Sequence, residues 1–358
     1  MRTKICFYLY YFIMVISMGF EGFPFIVGWE LTLACNLRCR HCGSSAGLPR
    51  NDELSLKESL AICDQFPELL VQEVNFTGGE PLLRPEWSII ATHLRDLGIR
   101  TKIITNGLAL DPSTVAQIKS VSVSGIGISL DGMNLTHDRI RNHNGLSQQI
   151  FRSIDLILNA NIPLTVITTV NSLNINELHS MFEILHSSGV NSWKVQPIFV
   201  LGRTRENPEL SLTPKDYMNL GNFVKEIFPQ AEKHGIDIRL GDSFGYFTEF
   251  DLRDPPWSGC PAGQVSVGIT SNGKIKGCLS LPDEFIEGDL RCNDLWDIWF
   301  NPSSFEYSRK ISSLDFGSNC SSCEKANECR GGCTAMSFGC TGLVHNDPYC
   351  FHAMKKYS

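Results

Sequence analysis

Residues 25–43 read FIVGWELTLACNLRCRHCG, an apolar run followed at once by three closely spaced cysteines. Residues 25–33 predict a buried strand. Cys35, Cys39 and Cys42 follow it with three and two intervening residues. Three thiolates on one loop can hold three irons of a four-iron cluster and leave the fourth iron for a ligand that is not protein. A structural zinc loop and ordinary buried cysteines are the alternatives at this point.

Outward from this loop, apolar strand-like runs alternate with amphipathic segments of helical length as far as residue 235. The predicted strands are 26–33, 73–77, 102–105, 125–130, 164–170 and 192–197. The predicted helices are 55–70, 86–97, 112–120, 146–160, 175–188 and 214–233. This alternation is typical of parallel βα units. Six units predict an α/β fold, a partial (β/α)6 TIM-like barrel with its chemistry at the carboxyl ends of the strands.

The composition changes after residue 235, where Gly, Pro, Ser and Cys become frequent and helical patterns shorten. Most of the chain's 14 cysteines lie in this region. A small region so poor in core residues is commonly held together by metal. We therefore predict three parts: an apolar N-terminal segment at 1–24, the barrel at 25–235 and a small cysteine-rich α+β domain at 236–358.

Charge and the N-terminus constrain partners and location. The net charge is −7 and no basic stripe occurs, so a nucleic-acid partner is not expected. The apolar run 6–20, behind Arg2 and Lys4, resembles a signal peptide, but it is short for a membrane span and lacks a cleavage signal. A packing segment, or a true start at Met14 or Met18, would also explain it. Closely grouped thiols favour metal binding in a reducing compartment over secreted disulfides. We predict a cytoplasmic protein without membrane contact.

A second motif follows the second predicted strand at residues 77–81, Thr-Gly-Gly-Glu-Pro. Gly78 and Gly79 allow the backbone to approach a ligand closely, and Glu80 places a carboxylate beside them. Gly-Gly turns are common, so this motif gains weight only from its position one βα unit after the cysteine loop.

Together the two motifs resemble those of the radical S-adenosylmethionine (SAM) superfamily. Its Cys-x3-Cys-x-aromatic-Cys motif is matched by Cys35, Cys39 and Cys42, with His41 at the aromatic position, and its GGE motif by Gly78-Gly79-Glu80. The resemblance implies that SAM chelates the free iron and that the GGE segment hydrogen-bonds its amino group. It further implies reductive cleavage of SAM to a 5′-deoxyadenosyl radical that abstracts hydrogen from a substrate, with a flavodoxin- or ferredoxin-type electron donor.

Further positions match the family in chain order. By this resemblance Ser129 and Asp131 take the ribose hydroxyls, Arg141 pairs with the SAM carboxylate, Asn171 lies near the adenine, and Gln196 donates into the pocket. A guanidinium suits bidentate binding of a carboxylate. Without the family context, Ser129 and Asp131 are ordinary turn residues and Arg141 belongs to a solvated helix start.

Seven C-terminal cysteines resemble the SPASM extension of this superfamily, which implies two auxiliary four-iron clusters. The outer cluster would be held by Cys320, Cys323, Cys329 and Cys350. The inner one would be held by Cys260, Cys278 and Cys333. Its fourth position is left open between Asp254, Cys292, Cys340 and a substrate. Zinc is the alternative metal, although seven thiols fit two closed four-cysteine sites badly.

The resemblance predicts a reaction class more firmly than a substrate. SPASM enzymes mostly act on peptides, so we predict oxidative modification, such as crosslinking, of a ribosomally made peptide or protein, with a precursor peptide as partner. Sulfatase maturation is disfavoured, because Leu279 stands where that subclass has an aspartate base after the cysteine matched by Cys278. A small molecule or tetrapyrrole in cofactor biosynthesis is the alternative substrate. A non-enzymatic iron–sulfur or zinc scaffold would form no 5′-deoxyadenosine.

Overall fold

One mostly parallel sheet organises the chain in the computed structural model, which describes residues 22–241, 243–252 and 256–356. Its strands within these residues are β1 Ile26–Thr32, β2 Glu73–Gly78, β3 Arg100–Thr105, β4 Gly125–Ser129, β5 Leu164–Val170, β6 Ser192–Pro197, β7 Asp237–Leu240, β8 Ser266–Ile269, β9 Lys274–Lys276 and β10 Gly288–Asp289. Their order across the sheet is β10-β9-β8-β1-β2-β3-β4-β5-β6-β7. All neighbours from β8 to β7 are parallel, and β9 and β10 are antiparallel additions at one edge.

The helices pack outside the parallel strands. They are α1 Leu56–Cys63, α2 Trp87–Asp96, α3 Pro112–Ser120, α4 Asn134–Arg141, α5 Leu146–Asn159, α6 Leu178–Ser187, α7 Pro214–Lys233, α8 Leu295–Trp299, α9 Glu306–Arg309, α10 Ala326–Cys329, α11 Thr334–Thr341 and α12 Phe351–Lys356. Local chemistry fixes several starts: Ser55 with Glu58, and Thr213 with Asp216, form capping boxes at α1 and α7.

The residue pattern of a strand reflects the different surroundings of its two faces. In β5, LTVITTV, buried and half-buried residues alternate strictly, because one face packs against helices and the other faces the barrel interior. Gly127 in β4 has no room for a side chain: a Cβ there would lie 2.7 Å from the Cδ1 atoms of both Ile104 and Ile167. The side chains of Ile104 and Ile167 thus narrow the barrel interior at mid-height.

The predicted partial barrel is confirmed, and the sheet is larger than the six expected strands. β7 continues it beyond β6, and β8 pairs in parallel with β1. One hydrophobic core contains barrel residues such as Trp29 and Trp193 together with Trp299 and Phe351 of the cysteine-rich region. The two regions therefore share packing, and the domain boundary near residue 235 stays a prediction.

Three helix predictions differ from the structure in detail. The helix expected at 55–70 ends at Cys63, since Pro67 cannot continue a hydrogen-bonded helix and Leu70 has a left-handed φ of 54°. The segment 175–188 divides into a 3₁₀ turn, Ile175–Glu177, and α6. The short helix α4 was missing from the predicted elements, although its buried face carries Arg141.

The predicted N-terminal segment falls almost entirely outside the described residues, as do Cys6 and Asp254. At its described end, Gly22 accepts a hydrogen bond from the Trp299 indole at 3.1 Å. Among the helices of the described residues, none has the length and apolar character needed to cross a bilayer.

Candidate active site

The cysteine loop leaves the carboxyl end of β1 and folds back on itself. The Cys35 N–H donates to the Gly47 carbonyl at 2.9 Å, and the Gly47 N–H donates to the Leu33 carbonyl at 3.1 Å. The Cys42 N–H donates to the Cys39 carbonyl at 3.4 Å. These backbone bonds fold the loop that carries all three thiols over the end of β1.

Arg203, in the 3₁₀ turn Gly202–Glu206 after β6, fixes this loop from the opposite side. Its Nε donates to the Cys39 carbonyl and its Nη1 to the Ala46 carbonyl, both at 2.8 Å, and the side chain is buried. Its N–H also donates to the Cys42 carbonyl at 3.0 Å. Three bonds from one residue hold the loop in place, a role that the sequence did not reveal.

A cavity of about 360 Å³ opens at this end of the barrel, in the range of small-ligand sites. All three loop cysteines line it. The other predicted site residues in its wall are His41, Gly78, Gly79, Ser129, Arg141 and Gln196. Thr105, Asn106 and Leu279 also line it, as do Thr169, Phe199 and Leu201, which the sequence did not single out. Six strand ends and the C-terminal region therefore meet at one pocket.

The thiols are surrounded by donors. The Asn106 amide nitrogen lies 3.7 Å from the Cys35 sulfur, and Arg141 Nη1 lies 3.9 Å from the Cys39 sulfur. Burial raises the pKa of Cys35 to about 11, so the thiol needs a bound cation to ionise. Nearby donors stabilise thiolates once they form. This donor set fits a cluster held by Cys35, Cys39 and Cys42.

Gly78 and Gly79 bring the second motif against the cysteine loop. The Gly79 N–H donates to the Thr32 carbonyl at 2.8 Å. A Cβ at Gly79 would lie 2.1 Å from the Ala34 carbonyl oxygen, and one at Gly78, whose φ is 117°, would lie 2.5 Å from the Thr32 oxygen. Only glycine fits either position. The backbone of Gly78 and Gly79 thus packs closely against the cysteine loop, and both glycines also line the cavity.

Glu80 is fully buried and does not line the cavity. Its carboxylate accepts bonds from the Thr105 hydroxyl at 2.9 Å, the Asn106 N–H at 2.8 Å and the Leu82 N–H at 3.2 Å. Burial raises the pKa of Glu80 to about 7, although these donors oppose the rise. In this arrangement its side chain braces the ends of β2 and β3, and a contact from it to SAM stays a prediction.

Arg141, Asp131 and His41 form a buried charged group beside Cys39. Arg141 Nε donates to Asp131 Oδ2 at 2.7 Å, and His41 Nε2 lies 3.3 Å from the same oxygen. Burial raises the pKa of Asp131, but the charge of Arg141 and further neighbours outweigh the effect of burial, so the net pKa is lowered. Burial lowers the pKa of His41 to about 4, so the ring is neutral at pH 7. Its Nδ1 is buried with no hydrogen-bond partner among the described residues.

Asp131 and Asn171 lie outside the cavity wall. Asp131 Oδ1 accepts the Thr169 N–H at 2.8 Å, so both of its oxygens are used within the protein. The Asn171 side chain closes a turn after β5, with bonds to the Thr169 carbonyl and the Leu173 N–H, both 3.0 Å. Their predicted contacts to the ribose and adenine of SAM stay predictions.

The four cysteines predicted for the outer auxiliary cluster meet at one small, mostly apolar cavity of about 20 Å³. Its wall is formed by Cys320, Cys323, Cys329 and Cys350 with Tyr246, Asn319, Ala326, Gly331, Gly332 and Asp347. Cysteines from distant parts of the C-terminal region are thus brought together in the predicted grouping. Burial raises the pKa of Asp347 to about 6 beside it.

The inner group is arranged less closely. The Cys333 N–H donates to the Tyr246 hydroxyl at 2.9 Å, whereas Cys260 and Cys278 lie on loops around Tyr307. Cys292 is exposed, with its sulfur 4.0 Å from an Asp289 oxygen, and the Cys340 sulfur lies 3.6 Å from Met336 Sδ. Neither contact places these two sulfurs at the inner group.

Within residues 22–241, 243–252 and 256–356, no three His, Cys, Asp or Glu side chains converge closely enough for a single metal ion. A four-iron cluster takes one thiolate on each iron and therefore spaces its ligands more widely.

Comparisons with known proteins agree with this arrangement. The radical SAM superfamily profile matches residues 29–185. The AdoMet-dependent heme synthase of Methanosarcina barkeri is 29% identical over 352 residues, covering 92% of this chain and 97% of that protein. The mycofactocin maturase MftC of Mycobacterium tuberculosis is 28% identical over 341 residues, covering 91% of this chain and 83% of the maturase.

The fold is also shared with solved structures. Streptococcus suis SuiB bound to its precursor peptide SuiA matches 95% of this chain and 78% of SuiB with a TM-score of 0.76 at 17% identity.

The resemblance drawn from the sequence is confirmed, and the non-enzymatic scaffold is excluded. The cysteine-rich C-terminal region fits auxiliary clusters. This chain is therefore a radical SAM superfamily enzyme, which uses a four-iron cluster and S-adenosylmethionine.

Proposed function

We propose that this enzyme oxidatively modifies a tetrapyrrole in cofactor biosynthesis. The observation that carries the proposal is the nearly end-to-end match to AdoMet-dependent heme synthases, which reaches 97% of the length of the Methanosarcina barkeri protein. We therefore favour a tetrapyrrole, the alternative substrate class expected from the sequence, over a peptide.

The chain's own residues have distinct tasks in this proposal. Cys35, Cys39 and Cys42 hold the SAM-binding cluster, and the Gly78–Gly79 backbone and Arg141 bind the amino and carboxylate groups of SAM. Ser129 and Gln196, in the cavity wall, supply polar contacts to the rest of the molecule. With cluster and SAM bound, the site supplies a carbon-centred radical that abstracts hydrogen from the substrate.

The C-terminal region contributes directly to this site. Leu279 and Ser280 form part of the cavity wall, directly after Cys278, a proposed ligand of the inner auxiliary cluster. An electron left on the substrate after hydrogen abstraction therefore has a short path to that cluster. Leu279 offers no carboxylate, so this position supplies no base to remove a proton from the substrate.

A second chamber of about 970 Å³ occupies the other end of the barrel interior. It shares Thr77 and Ile104 with the SAM-site cavity, so the two ends meet at mid-height. The volume lies at the upper end of the range for ligand pockets, which suits a bulky substrate.

Two cationic side chains in this chamber, Lys194 and Arg239, have the charge needed to bind the carboxylate side chains of haem precursors. Lys194 on β6 and Arg239 on β7 are register partners and therefore project to the same face of the sheet. Arg239 Nε lies 2.6 Å from Asp237, whereas Lys194, half-buried, forms no ion pair within the described part of the chain. A half-buried cation without a counter-ion is available for an anionic substrate group.

The test uses the anaerobically reconstituted enzyme with SAM, dithionite and iron coproporphyrin III, a tetrapyrrole with propionate side chains. Porphyrin-dependent 5′-deoxyadenosine and a mass change in the porphyrin are expected. Lys194→Met should raise KM for the porphyrin about tenfold with kcat little changed. Lys57→Met, on the exposed side of α1, is the matched control. SAM cleavage with unchanged porphyrin would contradict the proposal.

Peptide modification is the second candidate, supported by the match to mycofactocin maturase over 91% of this chain. It predicts a mass change in a precursor peptide encoded beside the gene, under the same conditions, and no change in the porphyrin. Either reaction would draw its electron from the flavodoxin- or ferredoxin-type donor expected from the sequence and would proceed in the cytoplasm.

A further inference from the structure

The Tyr307 hydroxyl is buried and has no hydrogen-bond partner among the described residues. An unsatisfied buried hydroxyl destabilises the folded chain, and such groups are rare in native proteins. A bonding partner that is not part of the polypeptide would remove this cost.

The hydroxyl lies between the two loops that carry Cys260 and Cys278. A Cβ on Gly277, the residue before Cys278, would come within 2.1 Å of the Tyr307 oxygen. The same Cβ would lie 3.0 Å from the nitrogen of Gly263, three residues after Cys260. The phenol therefore takes the space that a side chain at Gly277 would need, between two proposed ligands of the inner cluster.

The surrounding structure holds the phenol in this position. The ring of Phe285 packs edge-on against Tyr307 with centroids 5.1 Å apart, and Phe338 packs against Phe285 at 5.0 Å. His345 bridges the backbone, with Nε2 2.6 Å from the Tyr307 carbonyl and Nδ1 2.7 Å from the Arg330 carbonyl. A hydroxyl kept without a partner by rigid packing is preorganised for a ligand.

Two other tyrosines near the C-terminal cysteines differ in this respect. Tyr246 donates to Asp347 at 2.9 Å and accepts the Cys333 N–H at 2.9 Å. Tyr349 donates to the Leu212 carbonyl at 3.1 Å.

The Tyr307 hydroxyl carries a hydrogen-bond donor for which the described residues offer no acceptor. A protonated phenol can donate a hydrogen bond, and the sulfurs of a cluster held on these loops would be acceptors.

We propose that Tyr307 donates a hydrogen bond to a sulfur of the inner auxiliary cluster held by Cys260, Cys278 and Cys333, and thereby raises the reduction potential of that cluster. Hydrogen bonds to cluster sulfurs stabilise the more negative, reduced state. The inference rests on the auxiliary clusters of the proposed function and is independent of the substrate. Tyr307 is thus a positioning and tuning residue for the electron acceptor.

The test is an anaerobic redox titration of reconstituted enzyme followed by EPR, with the inner-cluster signal identified as the one lost in Cys260→Ala. Tyr307→Phe should keep its iron content and shift the inner-cluster midpoint to lower potential, while the SAM-binding cluster is unchanged. Tyr349→Phe, which loses a hydroxyl bonded to Leu212, should leave the inner midpoint unchanged.

A second measurement on the unaltered enzyme covers the case in which Tyr307→Phe fails to assemble. Pulsed EPR in H₂O and D₂O should show an exchangeable proton coupled to the inner cluster. An unshifted midpoint in Tyr307→Phe, or no exchangeable proton coupled to the inner cluster, would overturn the inference. Full iron content in Cys260→Ala would show that Cys260 does not hold the inner cluster, and would also overturn the inference. SAM cleavage by the same variant tests the proposed function separately.

Discussion

Arg141 and Asp131 form a buried ion pair, with Nε and Oδ2 2.7 Å apart, directly beside the Cys39 sulfur. The pair joins the end of α4 to the loop after β4, so two elements that are distant from β1 meet at the cysteine loop. Because Nε is used by Asp131, the terminal nitrogens of the guanidinium face the thiol and the cavity. Asp131 therefore orients the arginine rather than presenting a free carboxylate.

The first prediction concerns this arginine. Arg141→Lys should weaken SAM binding about tenfold, because a lysine cannot hold Asp131 and a second carboxylate in one planar geometry. Equilibrium dialysis of reconstituted enzyme with labelled SAM measures the change.

Arg139→Lys is the matched control, since Arg139 belongs to the same helix and is exposed. Equal SAM affinity in Arg141→Lys and Arg139→Lys would show that Arg141 does not contact the SAM carboxylate.

The second prediction concerns Gly202, whose φ is 54°. A Cβ there would lie 2.3 Å from the Gly43 carbonyl oxygen and 2.5 Å from that of Cys42. Gly202→Ala should therefore displace the cysteine loop and lower bound iron by about four per chain, the content of one cluster. Iron analysis and EPR after reconstitution measure the loss.

Gly189→Ala is the control that introduces backbone strain without this steric clash. Gly189 has a φ of 76°, and a Cβ there would have no other atom within 4 Å, so alanine costs only the left-handed strain of about 1 kcal/mol. Full iron content in Gly202→Ala would show that the loop tolerates the intrusion.

The sequence predicted the barrel and the cysteine positions because both depend on local patterns. β5 and β6 begin and end at the predicted residues. β5 is rich in β-branched residues, which mark such strands clearly. Motif spacing likewise identified the loop cysteines and both glycines. These features need no knowledge of distant contacts.

What escaped prediction depends on long-range packing. Arg203 holds the cysteine loop across 164 residues, and its position after the sixth strand does not by itself predict that contact. The four-residue strands β7 and β8 are too short to show a clear period, although both extend the sheet. Asp131 illustrates the converse: its position was predicted, but the ion pair that uses its oxygens follows only from the folded chain.

The third prediction concerns pH. Burial, followed by Arg141, lowers the pKa of His137 to about 4, below the value of about 6.5 for an unfolded histidine. Between these values the unfolded chain takes up a proton that the folded chain does not. Stability should therefore fall as the pH drops from about 6.5 to 4, by roughly 3 kcal/mol from this residue.

His137→Asn should flatten this dependence, because its amide oxygen can still accept the Asp131 N–H that His137 Nδ1 accepts at 2.9 Å. Urea midpoints of the holoenzyme across pH 4–7 measure it, with His179→Asn on the exposed side of α6 as control. A variant whose midpoints fall as steeply as those of the original enzyme would contradict the assignment.

The last prediction tests which C-terminal cysteines bind iron. Cys329 is buried at the small cavity that it shares with Cys320, Cys323 and Cys350, whereas Cys292 is exposed. Cys329→Ala should lower iron by about four per chain and remove one EPR signal, because a cluster iron loses its thiolate. Cys292→Ala, the matched control, should retain all iron. SAM cleavage should persist in both variants, since the cysteine loop after β1 is untouched. Iron loss in Cys292→Ala would instead assign that residue to the open position of the inner cluster.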